Sequence, residues 1–67
     1  MKNTIRIQRA IKNITQAELA DLVQVSRQTI NTLESGKYIP STVLALKIAA
    51  VFGVAVEEVF QLEEGDL

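Results

Sequence analysis

The fold is decided by residues 15–36, which read TQAELADLVQVSRQTINTLESG. Thr15, followed three residues later by Glu18, has the form of a capping box, in which each side chain accepts a hydrogen bond from the other residue's main-chain N–H. Ser26 is a favoured N-cap residue, and Gly36 suits the left-handed backbone that ends a helix. The stretch therefore predicts two short helices joined by a tight connector, over residues 15–23 and 27–35.

The flanking segments add three more helices by the same signals. The predicted bounds are Asn3 or Thr4 to about Asn13 for the first helix, Ser41 or Thr42 to about Phe52, before Gly53, for the fourth, and Val56 to Gln61 for the fifth. No segment alternates with period two over a useful length, so no strand is predicted. The sequence predicts a single all-α domain of five short helices over residues 1–67.

The longest apolar run extends from Val43 to Val56 and is interrupted by Lys47. It is shorter than the roughly 20 residues that a bilayer span needs, so we predict a buried helix. The first residues do not resemble a signal peptide. We expect a cytoplasmic protein with no membrane association.

The composition excludes several kinds of chemistry. The 67 residues are 48% apolar and 22% charged, which is typical of a globular domain. The chain has no cysteine and no histidine. This excludes a disulfide framework, a thiol nucleophile and a zinc–thiolate site, and it removes the commonest general base. We predict no enzymatic activity, no metal site, no cofactor and no small-molecule ligand.

The charges divide the chain into two parts. Residues 1–47 hold all seven lysine and arginine residues and three acids, a net charge of +4, whereas residues 48–67 hold five acids and no cation, a net charge of −5. The first part can present a face to an anionic partner. The acidic tail, residues 61–67, has an alternative interpretation as a segment that aids solubility.

The predicted third helix has one polar face. On a helical wheel, the side chains of Arg27, Gln28, Asn31, Thr32 and Ser35 fall within an arc of about 140°, opposite the apolar side. Arginine can pair with guanine O6 and N7, and glutamine or asparagine can pair with adenine N6 and N7. The residue types therefore favour contact with base edges, although an ordinary solvated face remains an alternative.

The two central helices and their turn have the form of a helix-turn-helix over about residues 16–35. A generic helical hairpin is the alternative that spacing alone leaves open. The chain resembles the Cro/C1-type (xenobiotic-response-element) helix-turn-helix family of bacterial and phage repressors through TQAELA (15–20), VSRQTI (25–30), LESGK (33–37) and later matches to about residue 62. The resemblance implies a lambda-repressor-like domain that binds double-stranded DNA as a small transcriptional regulator, with repression as the expected outcome and helix 27–35 in the major groove.

The resemblance also implies roles for single residues. It implies base contacts for Arg27, Gln28 and Thr32, and Asn31 lies between them on the same face. It implies phosphate contacts for Gln16, Lys37 and Tyr38, with Ser26 as a cap that can also touch phosphate; Tyr38 has an alternative role as an anchor of its loop on the core. It further implies a structural ion pair between Arg9 and Glu34.

Three departures from the family pattern carry predictions. Gln24 stands where the turn usually has glycine, so a left-handed backbone there would be strained by on the order of 1 kcal/mol. Ala55 replaces a serine cap, so the fifth helix is expected to fray. Ile7 and Ile11 lie on the opposite side of the first helix from Ile5, which leaves one apolar face uncovered.

Helix-turn-helix domains commonly bind DNA as dimers. We therefore expect a homodimer, and the candidate contacts are Val56, Val59, Phe60, Leu62 and Leu67 first, then Ile7 and Ile11. A second hypothesis for function is an antitoxin-like or other protein-interaction module, in which the acidic and apolar C-terminal segment masks a protein partner.

Overall fold

The computed structural model describes all residues of the chain, 1–67. The prediction of an all-α domain with five short helices is confirmed. The helices are α1 (Ile5–Lys12), α2 (Gln16–Val23), α3 (Arg27–Glu34), α4 (Thr42–Phe52) and α5 (Val56–Val59). None of these helices has the length and apolar character needed to cross a membrane.

The prediction that the chain has no strand is wrong. Strand β1 (Lys2–Asn3) pairs antiparallel with β2 (Phe60–Gln61), with Lys2 opposite Gln61. Helix α5 therefore ends at Val59, not at Gln61 as predicted, because Phe60 adopts an extended backbone with φ −121° and ψ 127°. Strands of two residues are too short to produce an alternating pattern, so only the pairing of distant segments defines them.

The starts of α2, α3 and α4 follow the predicted caps, whereas Thr4, a predicted cap of α1, makes no side-chain cap hydrogen bond. The Thr15 Oγ1 atom accepts a hydrogen bond from Glu18 N at 3.0 Å, and Thr15 N donates to Glu18 Oε1 at 2.9 Å. The Ser26 hydroxyl accepts from Thr29 N at 3.1 Å, and the Ser41 hydroxyl accepts from Leu44 N at 3.2 Å. Three of the five helices thus begin where a side-chain oxygen satisfies a free main-chain amide.

Four of the five helices, α1 to α4, are followed within two residues by a left-handed residue. Gly53 follows α4 with φ 68°, and Gly36 has φ 80° just after α3. Gln24, with φ 64°, and Asn13, with φ 57°, are the two non-glycine residues that have a left-handed backbone. The left-handed backbone at Gln24 meets the condition under which strain was expected in the turn. Ala55 makes no side-chain cap bond, and the fraying of α5 stays a prediction.

The core lies between α2, α3 and α4 and is closed at its edge by Ile5 and Val59. Its buried members are Ile5, Leu19, Ala20, Val23, Ile30, Leu33, Leu44, Ile48, Ala49, Phe52 and Val59. All are apolar, so burial on the order of 25 cal/mol per Å² of apolar surface stabilises the domain. Ala20, a small residue on α2, is 2% exposed within this core, and α2 packs against both α3 and α4.

Helix α4 is buried along one side only. Val43 and Leu46 are exposed, whereas Leu44 and Ile48 are buried. The prediction of a buried helix therefore holds for the inner side of α4 and is wrong for its outer side. In a chain of this size the core has only one layer of helices on each side, so an apolar helix still presents a face to water.

Candidate nucleic-acid interface

Helix α3 is fixed to the core by its inner face and exposes its polar face. Ile30 and Leu33 are fully buried, whereas Arg27, Gln28 and Asn31 are exposed. Thr32 is half-buried, and its hydroxyl donates a hydrogen bond to the Gln28 carbonyl at 2.9 Å. The four residues predicted to contact bases thus share one accessible face.

Two neighbouring surface hollows run along this face. The side chains of Arg27, Gln28 and Asn31 line the first, and Gln28, Thr29, Thr32 and Tyr38 line the second. Gln28 borders both, so the two hollows adjoin along α3. No segment of the chain covers it, and the side chains on it can reach another molecule.

A larger, open groove of about 710 Å³ lies beside the start of α3. It is bounded by α1, the start of α2 and Arg27, and three arginine side chains line it: Arg6, Arg9 and Arg27. Positive side chains next to a helix N-terminus attract an anion such as phosphate. Arg6 was not predicted as a site residue; its spacing of three residues from Arg9 on α1 was the signal that could have found it.

Arg9 and Glu34 meet at the inner edge of this groove. Arg9 Nε lies 2.6 Å from Glu34 Oε2, and Arg9 Nη2 lies 3.1 Å from Oε1. The Glu34 side chain is only 2% exposed. Burial acts to raise the pKa of Glu34, but hydrogen bonds from Arg9 and Gln16 and the charges of Arg9 and Arg6 outweigh it and lower the pKa below its ordinary value. Glu34 is therefore an ionised and buried acceptor.

Gln16 joins this ion pair to the exposed face of α3. Its Nε2 atom donates to Glu34 Oε1 at 3.1 Å and to Asn31 Oδ1 at 3.2 Å. Both hydrogens of the amide nitrogen are engaged, so the side chain is not free to donate to phosphate in this arrangement. The main-chain N–H groups of Gln16 and Ala17 precede the first intrahelical bonds of α2 and have no partner in the chain.

The residues after α3 lie beside the same surface. Lys37 is exposed, and Tyr38 is 44% exposed. The Tyr38 ring borders the hollow with Gln28 and Thr32 on one side and a second hollow with Val43 on the other. Tyr38 thus lies between the polar face of α3 and the edge of the core. This position is compatible with both predicted roles, a phosphate contact and an anchor of the loop on the core.

The acidic tail folds back on the start of the chain. The Met1 amino group lies 3.2 Å from Glu63 Oε1 and 3.0 Å from Asp66 Oδ2. Glu63 shares a hollow with Ser35 and Gly36, beyond the C-terminal end of α3. Its carboxylate therefore lies at the opposite end of α3 from Arg27.

The candidate dimer contacts are not equally accessible. Val59 is 0% exposed, so its prediction as a dimer contact is wrong: the end of α5 points into the core. Val56 and Phe60 are half-buried against the core, whereas Leu62 and Leu67 are exposed, as are Ile7 and Ile11.

No group of three or more acidic side chains converges as a metal site would require.

Two short helices joined by a tight turn, with the second one exposing a polar face, define a helix-turn-helix domain. The family model for the helix-turn-helix matches residues 5–59. The chain belongs to this family, in its Cro/C1-type branch, whose members are DNA-binding transcriptional regulators and not a class of enzymes.

Three similar proteins extend over nearly the whole chain. The uncharacterized HTH-type transcriptional regulator MJ0272 of Methanocaldococcus jannaschii is 50% identical over 98% of this chain and 100% of its own length. An uncharacterized HTH-type transcriptional regulator of Archaeoglobus fulgidus is 49% identical over 100% of this chain and 94% of its own. The uncharacterized HTH-type transcriptional regulator YgzD of Bacillus subtilis is 45% identical over 96% and 97%, respectively.

Proposed function

We propose that the protein binds a specific double-stranded DNA sequence and regulates transcription, as a repressor that occludes a promoter. The observation that carries this proposal is the accessible polar face of α3, with Arg27, Gln28 and Asn31 beside one another on a helix that the core holds rigidly. An α-helix of this size fits the major groove, where each base pair presents a distinct set of donors and acceptors. Binding of this kind requires no chemistry on the DNA, and its site is the cytoplasm, where that DNA lies.

The N-terminal end of α3 supplies the base contacts in this proposal. Arg27 pairs with guanine O6 and N7, and Gln28 pairs with adenine N6 and N7 or another base edge within its reach. Thr32 lies one turn further along, where its methyl group can contact the methyl group of thymine. Asn31 reaches a base from the same face.

The phosphate contacts lie on both sides of that helix. At the start of α2, the unpaired N–H groups of Gln16 and Ala17 and the side chain of Arg6 surround a position suited to phosphate. Ser26 caps α3 and can meet the same strand. Lys37 and Tyr38 reach the other strand, and all these contacts set the register of the helix without reading the sequence.

We further propose that the active form is a homodimer on two half-sites about one DNA turn apart. The exposed Leu62, with Leu67 and the accessible parts of Val56 and Phe60, is the first candidate interface. The exposed pair Ile7 and Ile11 on α1 is the second. A single species with the mass of a monomer at high micromolar concentration, measured by sedimentation, would contradict this part.

The test of the main proposal is binding to a duplex recovered from a random pool. The Arg27→Ala and Gln28→Ala variants should each lose about 1–3 kcal/mol of binding free energy and relax the preference at one base pair. The Gln61→Ala variant is the matched control, because Gln61 lies on β2 and donates only to the Glu57 carbonyl. Unchanged affinity and unchanged sequence preference in both α3 variants would refute the base contacts.

A further inference from the structure

The chain of hydrogen bonds from Glu34 through Gln16 to Asn31 has a fixed direction. An ionised carboxylate can only accept hydrogen bonds, and Glu34 is held ionised by the two-point contact with Arg9 at 2.6 and 3.1 Å. The Gln16 amide must therefore turn its nitrogen toward Glu34, as the 3.1 Å contact shows. The orientation of this amide follows from the charge of its neighbour.

The same constraint passes on to Asn31. The second hydrogen on Gln16 Nε2 points at Asn31 from 3.2 Å, so Asn31 must offer its oxygen there. The Asn31 side chain is exposed on the face of α3 that borders Arg27 and Gln28. Its oxygen is directed at Gln16, and the NH₂ group, which only donates, makes no hydrogen bond within the protein, so it is the group available to another molecule.

We propose that Asn31 is a donor-only reader of the major groove, so that at the base pair it faces it prefers guanine to adenine. Guanine presents two acceptors, O6 and N7, whereas adenine presents one acceptor, N7, beside the N6 donor, so its two-point pairing with asparagine needs both amide groups. That pairing would require Asn31 to turn its oxygen from Gln16 toward adenine N6. Gln16 and Glu34 act here as positioning residues, and the inference rests on the proposed function.

The experiment is selection of bound duplexes from a random pool, with the wild type and three variants in parallel. The position that Asn31 reads is the one whose preference disappears in Asn31→Ala. At that position the wild type should favour guanine over adenine by about fivefold or more, the size of one unsatisfied hydrogen bond. A wild-type preference for adenine there would overturn the inference.

The Gln16→Met variant tests the positioning role. It keeps a side chain of similar length and removes the amide, which frees Asn31 to turn and to pair with adenine. The ratio of guanine to adenine should fall toward one at this position alone, while a loss of a phosphate contact would lower affinity for every sequence equally. An unchanged ratio would overturn the role of Gln16.

The Asn31→Asp variant gives an answer that does not depend on how Gln16→Met folds. Aspartate still accepts from Gln16 and shows the groove a second acceptor, so the preference should change from guanine to cytosine, whose N4 donates. A retained preference for guanine would contradict the inference. If Asn31→Ala changes no position while Arg27→Ala and Gln28→Ala do, this inference fails and the proposed function stands; if no variant changes any position, the proposed function fails as well.

Discussion

The helix-turn-helix region, residues 15–35, and the C-terminal region, residues 56–67, differ in where their polar side chains find partners. In the first region Gln16 and Glu34 bond across three helices, to Arg9 and Asn31 as well as to each other. In the second region the polar side chains bond locally or to the Met1 amino group, as Gln61 does to the Glu57 carbonyl, while the links to Thr4 and to strand β1 are made through the main chain of this region. Cross-helix side-chain bonds hold an exposed polar surface in one shape, which binding to a rigid duplex requires.

The largest effect should follow from removal of the Arg9 charge. Arg9→Met leaves Glu34 buried without its main partner, and we expect the free energy of unfolding to fall by about 3–5 kcal/mol in urea titrations. Arg6→Met is the control, since Arg6 is 79% exposed and lies 3.6 Å from the same carboxylate. Its loss should be within about 1 kcal/mol. Equal losses in the two variants would contradict the difference between buried and exposed partners.

Acid should lower the free energy of unfolding by less than Arg9→Met does. Protonation leaves Glu34 as a buried neutral carboxylic acid, whereas Arg9→Met leaves it as a buried charge without its main partner. The pKa of Glu34 is lowered in the folded state, so the unfolded chain takes up the proton first. The stabilisation is complete above the ordinary glutamate pKa of about 4.3 and is lost as the pH falls through the folded value. Urea titrations at a series of pH values should show the free energy of unfolding falling as the pH is lowered below about 4.3.

The two regions should contribute differently to the loss of unfolding free energy in acid, the first through Glu34 and the second through Asp66. The pKa of Asp66 is also lowered, by the hydrogen bond from Glu63 N and by the Met1 amino group, but Asp66 lies at the surface. Its share should therefore decline with added salt, whereas the Glu34 share persists. Glu34→Gln should flatten the slope more than Asp66→Asn does; the reverse order would show that the tail, not the ion pair, governs acid stability.

DNA binding should separate the regions by salt dependence. Lys37→Ala removes one cation beside α3, so affinity should fall for all sequences and the slope of log affinity against log salt should shrink by about one. Glu64→Gln removes a charge from the tail and is the control that should leave the slope nearly unchanged. A larger change for Glu64 than for Lys37 would mean that the tail, and not this loop, faces the DNA.

The smallest effect concerns the two ends of helices at left-handed residues. Gln24→Gly should raise the free energy of unfolding by on the order of 1 kcal/mol by relieving backbone strain at φ 64°. Gly53→Ala should lower the free energy of unfolding by a similar amount, because alanine is strained at φ 68°. The added Cβ meets nothing within 4 Å, so no steric clash contributes to the loss. Melting temperatures of the two variants should move in opposite directions; a lower value for Gln24→Gly would refute strain in the turn.

The sequence predicted those parts of the fold that depend on near neighbours. Caps at Thr15 and Ser26 act within one turn of a helix, and a left-handed residue at Gln24 was expected because the family usually has glycine at that position. The β1–β2 pair was missed because residues at opposite ends of the chain form it. Val59 was misplaced for a related reason: the helical pattern identifies an apolar residue, but only packing decides whether it meets the core or solvent.

The candidate site was predictable in part for the same physical reason. The wheel places Arg27, Gln28, Asn31 and Thr32 on one face because a helix has a fixed period. It does not show that the amide hydrogens of Gln16 are already engaged, since that depends on the approach of α1, α2 and α3. The spacing of Arg6 from Arg9 indicates that they share one side of α1, but only the approach of the helices brings both of them to the groove with Arg27.

The most direct test of the central claim is selection of duplexes from a random pool by the wild type and by Gln28→Ala at the same salt concentration. We expect the wild type to recover a defined half-site, with Gln28→Ala losing the preference at one base pair and keeping the others. Recovery of no preferred sequence by the wild type, or an identical site with both proteins, would contradict a recognition role for the exposed face of α3.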